Sequence, residues 1–300
     1  MMFNAIMLIV AYLILAPIAG GLLAGFDRIA SARMQGRKGP PLLQPFYDVF
    51  KLMEKEGITV NKVQDFYVMC FFIFVLITGS LFFGGQNLLL VIFTLTLASV
   101  FLVVGAYSSN SPYAQVGAER ELLQIMAYEP MILITAIGFY MYTGSFNVSD
   151  IMASGQMALL PLIGIFIGYL YVLTIKFRKS PFDLSMSHHA HQELVKGLTT
   201  EISGKSLALI EIAHWYENIL FLGFLFLFFA NGTVTGMVIG VVVCLGAYFL
   251  EVLIDNSFAR MKWQVALSSS WIVAGALGFI NLTVLYVPNV IFAIFNYWVG

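Results

Sequence analysis

Apolar residues run along this chain in long blocks that polar residues interrupt about every twenty positions. Eight such blocks stand out, at about 4–25, 66–84, 87–107, 125–143, 157–177, 206–230, 234–254 and 268–296. Each is near the ~20 residues that an α-helix needs to cross a hydrocarbon core of about 30 Å. A spanning segment must satisfy its own backbone hydrogen bonds in lipid, so the blocks predict helices. One stretch has a different pattern. After the helix-breaking Gly36, Gly39, Pro40 and Pro41, residues Leu42, Leu43, Phe46, Val49, Phe50 and Met53 recur at helical spacing against Asp48, Lys51, Glu54 and Lys55. That predicts an amphipathic helix lying on the membrane surface. The expected fold is an all-α integral membrane protein: a single membrane domain over residues 1–300 with about eight transmembrane helices and an amphipathic surface helix in the first loop.

Composition agrees with the pattern. The chain is 60% hydrophobic and 10% charged, against roughly 45–50% apolar residues in soluble domains. A net charge of -1 gives no case for nucleic-acid binding. Charge placement adds a topology. All fifteen Lys and Arg residues fall in the first, third, fifth and seventh loops, as seven, one, five and two. With eight spans these loops share one face, which the positive-inside rule makes cytoplasmic, so both termini are expected outside. The first block lacks a basic segment before it and is read as an uncleaved span rather than a signal peptide. Cys70 and Cys244 lie in apolar runs and form no CxxC, so they are read as structural thiols. An iron-sulfur cluster needs about four thiolates, and none is expected on this chain.

Ionisable residues inside or beside the apolar blocks are the candidates for chemistry. Glu129 sits about one turn inside the fourth block and precedes Pro130. A carboxylate at that depth is costly, which points to a proton or ion role; a snorkelling glutamate paired with a basic neighbour also fits. Arg120 lies nine residues earlier and would meet Glu129 only if the third loop folded back, while Glu119 and Glu121 are expected to be solvated. Asp183, in "SPFDL", fits either a helix cap or a buried proton or ion-pair role. His188, His189 and His191 fit solvated loop positions, a proton relay near neutral pH, or a metal clip. No second ligand cluster supports the clip, so no metal is expected. Glu193 and Glu201 are eight residues apart, close to two turns if helical, and Glu211, His214 and Glu217 form a stripe entering the sixth block. Such a line must pair, neutralise or line water, so the stretch from 180 to 217 predicts the mouth of a hydrated, proton-capable cavity or a set of structural pairs. Glu251 and Asp255, before Arg260 and Lys262, fit interfacial pairing or an extension of that path. The first loop, with Arg33, Arg37, Lys38, Gln44 and Asp48, fits either a plain anchor or a docking surface for a peripheral arm. No Walker loop, dinucleotide glycine fingerprint, nucleophile triad or zinc motif is present, so no catalytic residue is predicted.

Three ordered motifs resemble one family. "GPPLLQPFYDVFKL", "GAERELLQIMAYE" and "SPFDL" followed by "ELVKGLTTE" are similar to segments of the membrane subunit that forms the quinone chamber of respiratory complex I, the NuoH type, and of its relatives in energy-converting nickel-iron hydrogenases. Complex I members usually continue PFDL with acidic residues. Here "SMSHHAHQELVKG" is longer and histidine-rich, and His214 stands where a later glutamate is usual. The whole segment looks more like the Ech-type (EchB-like) hydrogenase membrane subunit.

That resemblance implies a membrane anchor and coupling subunit of a ferredoxin-linked hydrogenase, in the cytoplasmic membrane of a prokaryote. It implies as partners the hydrogenase large and small subunits, an iron-sulfur ferredoxin-like subunit, an antiporter-like membrane subunit and soluble ferredoxin. The nickel-iron centre and iron-sulfur clusters would sit in those partners. By motif position it implies coupling roles for Arg120, Glu129, Asp183, Glu193 and Glu201, to which the spacing argument adds Glu211, His214 and Glu217. The alternatives are the quinone-chamber subunit of a complex I-type NADH dehydrogenase and the membrane subunit of formate hydrogenlyase.

Overall fold

A computed structural model describes residues 2–57, 61–186 and 196–287, with side chains from residue 5 onward. In chain order the helices are α1 (Met2–Met34), α2 (Gln44–Glu54), α3 (Lys62–Phe83), α4 (Leu88–Tyr107), α5 (Pro112–Thr143), α6 (Val148–Met152), α7 (Ile163–Lys176), α8 (Gly204–Leu227), α9 (Val234–Ser257) and α10 (Trp263–Val273). The last continues as a π-helical stretch, Ala274–Phe279, and on to Val287. Among the described residues seven helices are long and apolar enough to cross a membrane. The chain is an all-α, multi-pass membrane protein.

Helix starts follow local chemistry. Asn61, Asn87 and Thr233 cap α3, α4 and α9 through side-chain oxygens that accept backbone N–H bonds from Val63, Leu89 and Gly236. Pro45 and Pro112 occupy first-turn positions, where a missing N–H costs nothing. The two prolines inside helices are compensated from a neighbouring helix. Pro17 frees the carbonyl of Leu13 four residues back, and Tyr216 Oη donates to it at 2.6 Å. Pro130 frees the carbonyl of Met126, which accepts from Trp271 Nε1 at 3.2 Å. An unpaired carbonyl in lipid costs several kcal/mol (roughly), so these bonds let α1 and α5 run through their prolines. Close helix approach uses glycine: a Cβ on Gly20 would lie 2.5 Å from the Trp215 carbonyl, so α1 rests directly on the backbone of α8.

Boundaries differ from expectation in four places. The first helix runs on to Met34, so Asp27, Arg28 and Arg33 ride on α1. The fourth block extends back to Pro112, so the third loop is largely helical and Arg120 and Glu121 ride on α5. The eighth helix begins at Trp263, and residues beyond Val287 lie outside the described residues. The fifth block yields only the fourteen residues of α7, about 21 Å of rise. That is too short for the hydrocarbon core. The chain continues from α7 as an irregular segment, 177–186, that is mostly buried. Non-helical backbone at such a place is tolerated only where protein or a polar cavity surrounds it.

Candidate functional site

The irregular segment after α7 forms one wall of a polar cavity of about 510 Å³, bounded also by the end of α1 and by α8 and α9. Its centre is Arg178. The Arg178 guanidinium donates to Glu121 Oε1 of α5 at 3.1 Å and closely to His214 Nε2 of α8. Ser185 Oγ donates to the other oxygen of Glu121. Arginine has only donors, so His214 Nε2 accepts, and its ring proton resides on Nδ1. That proton points to Glu217 Oε2, 2.9 Å away. The chain of bonds therefore fixes one neutral tautomer of His214, braced between a cation and a carboxylate. Burial works against the charge of Arg178, but Glu121 and Glu217 more than offset it and hold its pKa above the ordinary arginine value.

Two further lysines complete the charged wall. Lys176 Nζ lies 3.6 Å from the centre of the Tyr128 ring and 5.0 Å from that of Phe221, a cation–π contact within the bundle. Lys179 pairs with Asp27 of α1 and, at 3.4 Å, with Asp255 of α9, while the Ser180 amide donates to the same aspartate at 2.8 Å. These bonds tie the segment after α7 to α1 and α9 at the rim. Behind Arg178 a gap of about 10 Å³ lies among Ser99, Glu121, Tyr128, Lys176 and Glu217, room for about one water. Lys176, Arg178 and Glu217 line both spaces.

The structure brings together only part of the expected set. His214 and Glu217 join the Arg178 cluster, and Glu211, half-buried, lines the same cavity. Glu129 is elsewhere on α5, accepting from Thr96 Oγ1 at 3.0 Å. Because α5 is continuous, nine residues and about 13.5 Å of rise separate Arg120 from Glu129, so the folded-back loop does not occur. Arg120 Nη1 reaches the Leu184 carbonyl instead, at 3.5 Å, and Arg260 Nη2 approaches the same oxygen at 3.4 Å. Asp183 is buried, but it stands in the irregular segment where no helix starts, so the capping role is excluded. Glu201 is half-buried in the turn before α8. Glu193, His188, His189 and His191 lie outside the described residues.

Around the first loop, Arg33, Arg37 and Lys38 are exposed, whereas Gln44 and Asp48 are half-buried. Asp48 accepts from Arg28 Nη1 at 2.5 Å and from Gln44 Nε2 at 2.9 Å, which pins α2 to the end of α1. Glu121 is a correction. Expected to be solvated, it is 5% exposed, because helix α5 sets it on one face with Gln124 and Tyr128, both buried. That i, i+3, i+7 spacing was the signal available for it. Lys176, Arg178 and Lys179 entered the sequence reading only as topology charges, and Asp27 did not enter it as a candidate; their partners are too distant along the chain for spacing to reveal.

The sequence model of a family described as NADH dehydrogenase matches residues 5–286. The chain belongs to that family. Among relatives, hydrogenase-4 component C of Escherichia coli (strain K12) is 26% identical over 276 residues, covering 84% of this chain and 87% of the relative. Formate hydrogenlyase subunit 4 of the same organism is 26% identical over 290 residues, covering 87% and 93%. A chain from the structure of the membrane-bound sulfane sulfur reductase (MBS), an archaeal respiratory membrane complex, superposes with a TM-score of 0.82 at 24% identity, over 92% of this chain and 99% of that one. This last likeness is one of fold. The relatives are named as components or subunits of oxidoreductase complexes, and membership of such a complex fits a bundle whose polar residues collect at one set of helix ends.

Proposed function

We propose that this chain is the membrane anchor and coupling subunit of a ferredoxin-linked, energy-converting hydrogenase, joining a peripheral electron-transfer arm to proton or sodium translocation. The observation that carries the reading is the Glu121–Arg178–His214–Glu217 chain within a cavity that opens at the helix ends. His214 contributes a residue able to take a second proton at Nε2, and doing so would break its bond from Arg178 and leave the guanidinium with Glu121 as its remaining carboxylate partner. A change of charge in a docked redox subunit would therefore be answered by movement of a proton and an arginine. Similarity to hydrogenase-4 component C and formate hydrogenlyase subunit 4 supports the hydrogenase side of the family.

In this reading the partner arm takes two electrons from reduced ferredoxin and joins them to two protons to release hydrogen. Nickel, iron and the iron-sulfur clusters belong to the partners. Among the described residues no three His, Cys, Asp or Glu side chains converge as a metal site here. Moving one charge against 100 mV requires about 2.3 kcal/mol, so a modest redox drop supports few ions per electron. With the short α7 counted as an eighth crossing, the basic loops all face the cytoplasm, where the arm docks, in the cytoplasmic membrane of a prokaryote with both termini outside.

The test is to isolate the detergent-solubilised complex through this subunit, measure nickel and iron, and assay hydrogen evolution from reduced ferredoxin. Nickel together with hydrogen evolution supports the reading. A nickel-free complex that reduces quinone overturns it in favour of the quinone-chamber subunit.

A further inference from the structure

Beside the charged cavity a second hollow of about 290 Å³ opens between α2, the end of α1 and the start of α8. Its chemistry is different. Arg28, Lys51, Lys55 and Lys196 line it against two carboxylates, Asp48 and Glu211. Asp48 is already engaged by Arg28 and Gln44, and these bonds with the nearby cations hold its pKa below the usual carboxylate range although burial pushes the other way. Among the described residues no carboxylate lies within ion-pair distance of Lys51, Lys55 or Lys196. With Asp48 held by Arg28, the hollow therefore sets three lysines against Glu211 alone among the described residues, a surplus of positive charge over a floor that includes Val49, Leu207 and Trp215.

The outer face of α2 supplies the second observation. Leu43, Tyr47 and Phe50, spaced i, i+4 and i+7, are 47%, 56% and 65% exposed. The opposite face packs Val49 with Ala208 and Trp215. A short helix with apolar residues on both faces and lysines beside them lies in the headgroup plane, its outer stripe among acyl chains.

We propose that this hollow binds the phosphate headgroup of an anionic phospholipid, with Lys51, Lys55 and Lys196 as its cations. A concave space of headgroup size with an apolar flank favours lipid over a protein surface, which would need a broad, complementary patch. The site is a boundary lipid seat at the joint between α2 and the bundle, and it stands independently of which redox arm docks.

The experiment uses the intact complex, reconstituted in vesicles of phosphatidylglycerol and phosphatidylcholine in equal parts, re-extracted in mild detergent and analysed for retained lipid by native mass spectrometry. The wild type is expected to retain phosphatidylglycerol on the order of a hundredfold over phosphatidylcholine, and Lys51→Gln/Lys55→Gln to remove most of that preference, at about fivefold per lysine. Lys51→Arg/Lys55→Arg is expected to keep it. Lys196→Gln, outside α2, is expected to lower it about fivefold and serves if the double variant does not assemble. Equal retention of both lipids by the wild type, or an unchanged preference in the glutamine variants, overturns the proposal. So does displacement of phosphatidylglycerol by excess inorganic phosphate, which would mark a soluble-anion site. Loss of peripheral subunits from the glutamine variants with lipid retention unchanged would mark a protein dock and overturn it as well.

Discussion

Arg178 and Arg28 each hold a carboxylate, one inside the bundle and one at its surface. The Arg178–Glu121 side chains are 13% and 7% exposed, those of Arg28–Asp48 45% and 41%. Their geometry is alike, yet their energetic weight is not. Inside, charges have lost water and each depends on its partner, so removing one strands the other. At the surface, water replaces a lost partner at little cost. The inner set is also a network: Arg178 serves Glu121 and His214, and His214 serves Glu217. The outer set fastens one short helix. The lesson is that ion pairs of one chemical kind serve a coupling element where they are buried and linked, and a simple fastening where they are wet.

The sharpest break in this comparison is Arg178→Met. It leaves Glu121 buried with Ser185 as its hydrogen-bond partner and Lys176 as the nearby cation, and a loss of about 3–5 kcal/mol in stability is expected, read as a fall in Tm or in assembled complex. Adding Glu121→Gln is expected to restore much of that loss, because both charges are then gone; a double variant as unstable as the single one would show that the pair is not the source. His214→Phe comes next. It keeps the ring volume but strips Glu217 of a donor, at about 1.5–3 kcal/mol. Hydrogen evolution should persist while ion-gradient formation in vesicles falls, and equal loss of both would assign His214 to structure only.

Glu129→Gln preserves an acceptor for Thr96, so stability should change by less than about 0.5 kcal/mol. Gradient formation should still drop if Glu129 carries a proton; unchanged gradient and turnover would remove it from the path. Asp48→Asn, on the wet side, should cost about 1 kcal/mol or less and lose even that in high salt. The pH response is the smallest effect. Asp48 has a folded-state pKa below its unfolded value of about 3.9. Its contribution is therefore fully present above that unfolded value and is lost as pH falls through the lower folded one. Protease cleavage in the loop before α2 should stay constant from neutral pH to about pH 5 and rise only in stronger acid.

Legibility differed between these regions for a physical reason. The spans showed in the sequence because a membrane crossing demands about twenty apolar residues in a row, and α2 showed because its pattern has the helical period. His214 and Glu217 were legible because three residues along a helix place two side chains on one face. The fifth block misled by length: apolar residues 157–162 are turns rather than helix, with Ala158 and Leu162 buried and Leu160 exposed, because an apolar run by itself does not fix the backbone conformation. Glu121 misled because flanking charges suggested solvent, while its own helix face turns inward.

By itself the sequence determined the membrane class, the helical order, the gathering of basic residues in alternate loops, and the local pairs within one or two turns. These follow from lipid thickness, helix period and backbone self-sufficiency, all of which act over short stretches of chain. Only the tertiary structure decided that Glu121 meets Arg178 across 57 positions and Lys179 meets Asp27 across 152. Pairings at such distances depend on which helices pack together and at what depth α7 ends, and a buried charge takes whatever partner that packing brings within reach.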